Sequence, residues 1–335
     1  MILAAGKGER MSPLTEKLPK ALLNVAGKTL IEWTIDRFIK ANIHDIVVAV
    51  GWKGSLIEQY ALNSNIDVSI IHVPDYEIGP LQTFLTAIET FDGDFLVTPV
   101  DALLEPSSLL ELQAHHSSYP DHVGMTLAVG YSSNVGTPVE LNEKGFVTSF
   151  GKDGSGKNSL VKSAMQLISN TRIRGLCRSS LKEGKQRVVE VLDQFIKNGN
   201  AILSYNVSDR WFDIDTLSDI LVTNRYMLER GWFSKPDSVF VPVGDSIEVG
   251  DVLSLSPNIT IEKGSVLQGP ILISSDCSIG KSCRIGPNVS IDSKTTISND
   301  CEVSNAVIFG ESELLPHSHV HRSIIYDSDR YDMEL

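Results

Sequence analysis

The first thirty residues combine glycines with basic residues at a spacing that suits a phosphate-binding loop. A short apolar run, ILAA, ends in small residues, which predicts a buried strand followed by a tight loop. Gly6 and Gly8 let the backbone N–H groups approach an anion closely. Lys7, Arg10 and Lys20 add positive charge beside them. The segment is neither a P-loop nor a G-x-G-x-x-G dinucleotide fingerprint, and an ordinary turn remains the alternative for the glycines alone.

Two aspartates occupy positions that suit a divalent cation. Asp101 closes the apolar run VTPV, and Asp213 lies in the string WFDIDT. Carboxylate oxygens from separate strand ends are the ligands that Mg²⁺ prefers in proteins. An isolated aspartate at such a position is more often a turn former or a helix N-cap. Asp215, two residues after Asp213, also suits a cap of the helix that follows.

The elements that would position these residues alternate between helix and strand over the first two thirds of the chain. Apolar periodicity predicts helices over 29–41, 56–62 and 81–90, and strands over 45–51, 68–73 and 95–100. These strands are apolar throughout, as parallel strands covered on both faces are. We therefore predict a doubly wound α/β domain over residues 1–230, with ligands at the carboxyl ends of its strands.

The second part of this predicted domain has shorter and less regular segments. The patterns predict a hairpin turn at 142–145, a surface loop at 153–157, a strand at 167–177, a helix at 186–197, a strand at 201–205 and a helix ending near 230.

A six-residue period begins after residue 242 and replaces the helical pattern. Its aliphatic column consists of Val249, Leu255, Ile261, Leu267, Ile273, Ile279, Ile285, Ile291, Ile297, Val303 and Phe309. Such a period predicts a parallel β-helix over 243–335, after a linker at 231–242, and the pattern resembles the left-handed β-helix domains. Three hexads close one coil, so residues 18 apart stack. Cys283 is therefore expected to stack on Cys301 in the next coil. We expect the two cysteines to be buried free thiols and not a disulfide.

A longer string around the first loop resembles a known family signature. Residues 3–28 read L-A-A-G-x-G-x-R-M-x-P-L-T followed by P-K-x-L-L-x-V-x-G-K. This resembles the nucleoside-diphosphate-sugar pyrophosphorylases, also called sugar-1-phosphate nucleotidylyltransferases. The resemblance implies a Rossmann-like mixed sheet and Mg²⁺-dependent transfer of NMP from an NTP to a hexose 1-phosphate, with release of pyrophosphate. dTTP or UTP and glucose 1-phosphate are the substrates we expect.

The same resemblance implies roles for individual residues. Arg10 and Lys20 would bind the triphosphate and stabilise the transition state, while Asp101 and Asp213 would hold Mg²⁺ and share in catalysis. The implied nucleotide-binding residues are Leu3, Ala4, Ala5, Gly6, Gly8, Gly79 and Gln82. The implied sugar-phosphate-binding residues are Gly136, Lys152 and Glu190.

Several residues depart from the family pattern, mostly in the sugar pocket. Gly151 stands where the E-K-P motif has its glutamate, and Asp215 stands where W-x-D-x-G-T has glycine. Residues 171–175 only loosely resemble the N-x-G-x-Y strand, and no glutamine precedes Gly79 at the family's spacing. The family also has a few more residues before Ile2, so the first strand is expected to fray or to lack its first residues. The alternatives are an inactive regulatory relative that binds NDP-sugars, or a specificity for GTP and mannose 1-phosphate.

Three histidines near the C-terminus suggest a similarity to acyltransferases, which share the β-helix and use a histidine as a base. His317, His319 and His321 alternate, so they lie on one face of a strand, where they could also favour a metal. An added acyltransferase activity is one interpretation. A packing or subunit-contact role in a homo-oligomer is the one we favour.

Composition excludes other classes of function. The 335 residues are 42% hydrophobic, enough for two domains with substantial cores, and no apolar run reaches the roughly 18 residues of a transmembrane helix. The net charge of −13 argues against a nucleic-acid surface. The four cysteines form no C-x-x-C pair, which argues against a zinc site. The N-terminus shows no export signal, so a cytoplasmic location is expected.

Overall fold

The chain folds into two compact units. The computed structural model describes residues 1–105, 107–119, 124–131, 136–151, 161–208, 211–232, 238–250, 253–255 and 258–333. The first unit contains Met1–Glu9, Thr15–Leu22 and Leu30–Asp213. The second contains Arg10–Leu14, Leu23–Thr29 and Ile214–Leu335. This grouping differs from a boundary at residue 230, because residues 214–230 and two short N-terminal segments group with the C-terminal strands. The predicted linker at 231–242 lies partly outside the described residues.

Helices and strands alternate from Leu30 to Ile88, and several consecutive strands follow before the helix that ends at Glu229. The strands are β1 (Ile2–Ala4), β2 (Asn24–Val25), β3 (Lys28–Thr29), β4 (Val47–Val50), β5 (Ser69–His72), β6 (Asp94–Pro99), β7 (Ala102–Leu104), β8 (Thr126–Tyr131), β9 (Thr137–Leu141), β10 (Val147–Phe150), β11 (Val161–Asn170), β12 (Leu203–Ser208) and β13 (Trp211–Asp213). The α-helices are α1 (Leu14–Lys17), α2 (Leu30–Lys40), α3 (Gly54–Asn63), α4 (Pro80–Ile88), α5 (Ser108–Ser117), α6 (Arg174–Lys182), α7 (Val188–Lys197) and α8 (Leu217–Glu229). Short 3-10 helices lie at Glu9–Met11, Lys20–Leu22, Tyr76–Ile78 and Thr171–Ile173.

A mixed sheet forms the centre of the first unit. Its strand order is β10-β9-β11-β6-β1-β4-β5, and β8 joins β11 to β12. Strand β1 lies between β4 and β6 and runs parallel to both. Strand β11 runs antiparallel to β6, which makes the sheet mixed. The prediction of a Rossmann-like mixed α/β domain is confirmed.

The core of this unit explains why its central strands are apolar on both faces. Helix α4 contributes the fully buried Leu81 and Phe84, and Phe84 meets Phe95 of β6 edge to face at 6.1 Å. Ile2 of β1 and Leu127 of β8 are also fully buried. No helix among the described residues is long and apolar enough to cross a membrane.

The expected strand over 167–177 is wrong in its second half. Strand β11 ends at Asn170, whose side chain accepts a hydrogen bond from the backbone N–H of Arg172 at 3.0 Å. This cap starts the 3-10 helix Thr171–Ile173, and α6 follows directly. The segment compared with the N-x-G-x-Y strand, 171–175, is therefore helical.

The second unit consists mainly of short strands. They are β14 (Val239–Val241), β15 (Ser246–Glu248), β16 (Leu253–Leu255), β17 (Ile259–Ile261), β18 (Val266–Gln268), β19 (Ile271–Ile273), β20 (Ser278–Ile279), β21 (Arg284–Ile285), β22 (Val289–Ile291), β23 (Thr296–Ile297), β24 (Glu302–Phe309), β25 (Glu313–Leu314), β26 (His319–Tyr326) and β27 (Asp329–Asp332). From β17 to β26 successive coils pair in parallel, as a parallel β-helix does.

The stacking period agrees with the sequence prediction over most coils. Ile261 pairs with Ile279, and Leu267 pairs with Ile285, each 18 residues apart. Within β24 the spacing shortens to 17 residues, because Ile308 and not Phe309 pairs with Ile291. The shortening coincides with Asn305, which adopts a φ of +49°. Phe309 therefore leaves the predicted column.

Antiparallel strands close both ends of the β-helix. Strands β14, β15 and β16 pair antiparallel with β19, β18 and β17, and β27 pairs antiparallel with β26. Val249 and Leu255 were expected to begin the parallel series, but parallel pairing begins at β17. Cys283 lies one coil below Cys301, and both are buried free thiols, as expected.

Candidate active site

The glycine loop after β1 is held by side chains of its own unit. Gly8 has a φ of +65°, a conformation that favours glycine, and a Cβ there would lie 3.1 Å from Cγ2 of Thr15. The Thr15 hydroxyl donates to the Gly8 carbonyl at 2.9 Å. A Cβ on Gly6 would meet nothing within 4 Å. The Gly8 end of the loop is therefore fixed, and the backbone at Gly6 is open.

Two further residues that the sequence reasoning missed anchor this loop. The backbone N–H of Trp52 donates to the Ala5 carbonyl at 3.0 Å, and its indole N–H donates to the Thr15 carbonyl at 3.0 Å. A Cβ on Gly51 would lie 2.7 Å from the Ala5 carbonyl oxygen, so only glycine fits this approach. The available signal was position: Gly51 and Trp52 follow β4, a parallel neighbour of β1, and parallel strands end at one edge.

Lys20 and Asp101, predicted from separate stretches, meet in the first unit. The Lys20 ammonium forms a hydrogen-bonded ion pair with Oδ2 of Asp101. The Lys20 side chain is only 11% exposed and the Asp101 side chain 22%, so this pair is shielded from most solvent screening. Lys20 belongs to a 3-10 helix, and Asp101 lies in the turn between β6 and β7.

Asp213 is brought to Asp101 by a short antiparallel ladder. Strand β13 pairs with β7 so that Asp213 lies opposite Ala102, the residue after Asp101. Carboxylate oxygens of Asp101 and Asp213 lie within 4.8 Å of one another, and both residues are half-buried. Two carboxylates this close are a fitting donor set for a hard divalent cation. Lys20 offers a positive charge beside them.

Arg10 belongs to the second unit, where its partner is one of the residues that depart from the family pattern. Nη2 of Arg10 lies 2.6 Å from Oδ1 of Asp215. The interpretation of Asp215 as a helix cap is wrong, since the Thr216 side chain accepts from the Asp219 backbone N–H and caps α8. The Asp219 carboxylate in turn accepts from the Thr216 backbone N–H at 2.7 Å.

Lys7 of the glycine loop is held by a carboxylate of the same unit. Its Nζ lies 2.6 Å from Oε1 of Glu77, and this hydrogen bond raises the pKa of Lys7. Nζ also lies 5.7 Å from the centre of the Trp52 ring. Lys7 therefore remains charged in the pH range in which phosphates are anionic.

The predicted nucleotide-binding residues lie at two places in the first unit. Leu3 and Ala4 belong to β1, and Ala5 follows it as a buried residue. Gly79 precedes α4 with a φ of +139°, and a Cβ there would approach the Gln186 carbonyl oxygen to 3.0 Å. The Gln82 side chain donates to the Pro74 carbonyl at 3.4 Å. The roles of these residues stay predictions.

The predicted sugar-phosphate residues are less clearly assembled. Gly136 has a φ of +83°, and a Cβ there would lie 2.9 Å from the Trp211 ring. Glu190 caps α7, because its carboxylate accepts from the backbone N–H of Arg187 at 2.9 Å. Lys152 lies outside the described residues, as does the loop expected at 153–157.

Gly151, which stands where the E-K-P motif has its glutamate, lies close to Pro138. A Cβ on Gly151 would lie 2.9 Å from Cβ of Pro138, and the Gly151 N–H donates to the Pro138 carbonyl at 2.9 Å. The backbone here is too close to Pro138 for a glutamate without local movement.

The C-terminal histidines are exposed and contact the preceding coil. Nδ1 of His319 lies 3.3 Å from the Glu302 carboxylate, and His321 lies 2.8 Å from the Ser304 hydroxyl. His317 lies 3.9 Å from Asp300. They do not pack in the core, and no metal-binding group of three residues includes them in the part of the chain that the structure describes.

Comparison with known families agrees with this arrangement. Residues 1–167 match the family model of the MobA-like NTP transferase domain. Residues 1–167 therefore belong to the MobA-like NTP transferase domains. Residues 267–332 match the GMPPB C-terminal domain, downstream of the transferase domain.

Relatives of the transferase domain are found among curated and solved proteins. The N-acetylmuramate alpha-1-phosphate uridylyltransferase of Neisseria meningitidis is 41% identical over 133 residues, 38% of this chain and 56% of that protein. The bifunctional protein GlmU of Methanococcus maripaludis is 27% identical over 240 residues, 69% of this chain and 54% of that protein. The chain thus spans about half the length of these relatives.

Two solved structures share the fold of the transferase domain. A UDP-glucose pyrophosphorylase complexed with UDP-glucose superposes with a TM-score of 0.59 at 18% identity, over 68% of this chain and 97% of that one. The inositol-1-phosphate CTP transferase from T. maritima superposes with a TM-score of 0.56 at 19% identity, over 65% of this chain and 89% of that one. At these identities the likeness concerns the fold.

Proposed function

We propose that the protein is a sugar-1-phosphate nucleotidylyltransferase that transfers NMP from an NTP to a hexose 1-phosphate and releases pyrophosphate. The observation that carries this proposal is the convergence of Lys20, Asp101 and Asp213 at the carboxyl edge of the sheet. Two carboxylates and an ammonium group, beside a loop with open backbone at Gly6, are what a triphosphate and its cation need.

The chain's own residues have distinct tasks in this reaction. A phosphate oxygen of the sugar phosphate attacks the α-phosphorus, and the bond from that phosphorus to the pyrophosphate oxygen breaks. Asp101 and Asp213 would hold Mg²⁺, which would supply charge neutralisation on the phosphates. Lys20 transfers its hydrogen bond from Asp101 to a phosphate oxygen, and Arg10 binds the triphosphate. The backbone N–H groups of the glycine loop orient the nucleotide.

UTP is the nucleotide that we favour, with dTTP as the other candidate. The relative with 41% identity is named as a uridylyltransferase that acts on a sugar 1-phosphate. Glucose 1-phosphate is the first sugar to test, with N-acetylmuramate 1-phosphate beside it. A cytoplasmic location and a homo-oligomer remain predictions.

Pyrophosphate release tests the proposal. Purified protein is incubated with each NTP, Mg²⁺ and a set of sugar 1-phosphates, and pyrophosphate is measured by a coupled assay. Asp101→Asn and Asp213→Asn should each lower kcat by about 10²–10³-fold, since each removes a ligand of the cation that would neutralise the charge of the transition state. Asp67→Asn, on an exposed residue, is the matched control. Absence of pyrophosphate with every substrate pair, or full activity of Asp101→Asn, would contradict the proposal.

One observation favours a second function, in which the protein binds NDP-sugars without turnover. The approach of Gly151 to Pro138 leaves no room for the family's sugar-binding glutamate. Thermal-shift titrations distinguish the two functions, because a bound ligand raises Tm in proportion to the logarithm of its concentration over its Kd. Tm increases with NDP-sugars, combined with no pyrophosphate release, would favour the binding function.

A further inference from the structure

The two aspartates are carried by a ladder that is too short to fix them by itself. Strands β7 and β13 form a two-stranded sheet with three residue pairs, from Trp211 opposite Leu104 to Asp213 opposite Ala102. A two-stranded ladder is marginally stable in isolation. A cation site needs its ligands held to within about 0.5 Å. The spacing of the carboxylates therefore depends on what holds β7 from outside the ladder.

Buried side chains from two other elements bind the carbonyl groups of β7. Nε2 of Gln166, in β11, donates to the Ala102 carbonyl at 2.8 Å. Nε of Arg37, in α2, donates to the Leu104 carbonyl at 2.5 Å. Gln166 and Arg37 are 2% and 5% exposed. Both ends of β7 are thus tied down, one to the sheet and one to a helix.

Arg37 is an unusual residue to find in such a position. Nη1 donates to the Trp33 carbonyl at 2.8 Å, and the guanidinium lies 5.4 Å from the centre of the Trp33 ring. Burial lowers the pKa of Arg37 to about 10. Nη2 has no hydrogen-bond partner among the described residues. Burying a guanidinium without full compensation opposes folding, and an aliphatic side chain would fill the same space more favourably.

We propose that Arg37 and Gln166 are positioning residues that hold β7 and thereby set the spacing of the Asp101 and Asp213 carboxylates for a divalent cation. The inference rests on the cation site of the proposed function. Neither residue touches the cation or the substrates; each acts through a backbone carbonyl beside the ligands. Loss of either bond lets the ladder shift, and the affinity for the cation falls while the glycine loop is unaffected.

Binding of Mn²⁺ in the absence of nucleotide tests this inference directly. Free Mn²⁺ is measured by electron paramagnetic resonance in titrations of the full chain and of Arg37→Met, Arg37→Lys and Gln166→Leu. Arg37→Met and Gln166→Leu should raise the Kd for Mn²⁺ about tenfold, in the range known for residues that orient metal ligands. The concentration of Mg²⁺ needed for half-maximal activity should rise in parallel, while KM for the NTP at saturating Mg²⁺ stays unchanged.

Arg174→Met is the matched control. Nε of Arg174 donates to the Ile88 carbonyl at 2.8 Å, and its Nη2 is likewise buried without a hydrogen-bond partner. This arginine ties α6 to α4 and not to β7. Arg174→Met should change Tm in the same direction as Arg37→Met does and leave the Kd for Mn²⁺ unchanged.

The outcomes separate this inference from the proposed function. Unchanged Mn²⁺ binding in Arg37→Met and Gln166→Leu, or an equal change in Arg174→Met, would overturn the positioning role. If Asp101→Asn binds Mn²⁺ as the unaltered chain does, the cation site itself is wrong. If Arg37→Met does not fold, Gln166→Leu and Arg37→Lys decide the question, because Lys keeps the charge and loses the Nε donor.

Discussion

Asp215 forms an ion pair with Arg10. Asp215 stands where the family pattern has glycine, and Arg10 is a predicted catalytic residue. The Arg10 side chain is 68% exposed and Asp215 holds its guanidinium at 2.6 Å. A triphosphate that binds Arg10 must compete with this carboxylate. Pairs with one exposed partner are worth about 0.2–1 kcal/mol, so the competition is modest and reversible. Asp215 is therefore expected to weaken nucleotide binding without abolishing it.

Replacement of Asp215 by the family's glycine tests this competition. Asp215→Gly should lower KM for the NTP by about 1.4- to fivefold, the factor that corresponds to the energy of such a pair. Steady-state pyrophosphate release at low ionic strength is the measurement. Glu9→Gln, which neutralises a carboxylate next to Arg10 in sequence, is the control and should have a smaller effect. A decrease in KM that persists in the double variant Arg10→Ala/Asp215→Gly would contradict the explanation.

At the scale of elements, helix α8 connects the β2–β3 hairpin to the β-helix inside the second unit. The hairpin turn contains Ala26 and Gly27 at φ values of +47° and +80°, and the first is unfavourable for alanine. The buried Asn224 of α8 accepts hydrogen bonds from the Ala26 backbone N–H at 2.9 Å and from the Ser290 hydroxyl at 2.7 Å. One side chain thus holds the turn against β22. Residues 25–28, the V-x-G-K part of the signature, therefore have a structural role in this turn.

The Asn224→Ala variant should destabilise this arrangement. Truncation leaves the Ala26 N–H buried without its acceptor, which costs about 1–3 kcal/mol in the free energy of unfolding. Urea unfolding followed by circular dichroism measures the change. Val222→Ala in the same helix is the control, because Val222 is 61% exposed and such surface changes stay within about 0.5 kcal/mol. Equal midpoints for Asn224→Ala and the unaltered chain would refute the role of Asn224.

Helix α5 contributes a histidine that makes stability depend on pH. Nδ1 of His116 lies 2.8 Å from the Thr126 hydroxyl of β8, and burial lowers the pKa of His116, with Asp94 opposing and His115 adding to the shift. The unfolded chain binds more protons than the folded one below a pH of about 6.5. The stabilisation by neutral His116 is therefore complete above that pH and is lost as the pH falls towards the folded-state pKa.

Thermal unfolding of a His116→Gln variant checks this dependence. Between about pH 5 and pH 8 the Tm of His116→Gln should fall less on acidification than that of the unaltered chain. His44→Gln, on an exposed histidine that lies 3.2 Å from the Asn42 side chain, is the control. Parallel Tm profiles for the unaltered chain and His116→Gln would show that His116 does not carry the effect.

At the scale of the whole molecule, the sequence was most informative where one strong pattern repeats. Apolar runs predicted β4, β5 and β6, and the six-residue period predicted the β-helix, because each pattern records burial on a known face. Asn170 was harder to interpret, since a side-chain cap can end a strand inside an apolar stretch. The one-residue shortening of the repeat at Asn305 coincides with a positive φ, which no periodic pattern in the sequence indicates.

In the candidate site too, the sequence predicted some residues and not others. The signature and the strand ends led to Lys20, Asp101 and Asp213, which the structure brings together. The residues that hold them were beyond sequence reasoning. Arg37 lies in an amphipathic helix, where an arginine is usually a solvated charge, and its bond to the Leu104 carbonyl spans 67 positions. Contacts of this kind are set by tertiary packing and leave no periodic signal.

The second unit combines N-terminal segments with the β-helix, which leads to a prediction about how the molecule unfolds. Ile285 is 1% exposed in the column of the β-helix, with Leu267 and Val303 in the adjacent coils. Ile285→Asp buries a carboxylate without a partner, a change of the class that costs more than about 4 kcal/mol. Because residues 23–29 belong to the same compact unit, their amide hydrogens should lose protection together with those of 258–333, while residues 30–213 stay protected.

Hydrogen exchange with mass spectrometry measures this loss of protection, and Ser278→Asp, on an exposed outward position, is the control. Full protection of residues 23–29 in Ile285→Asp would mean that this N-terminal segment does not unfold with the β-helix.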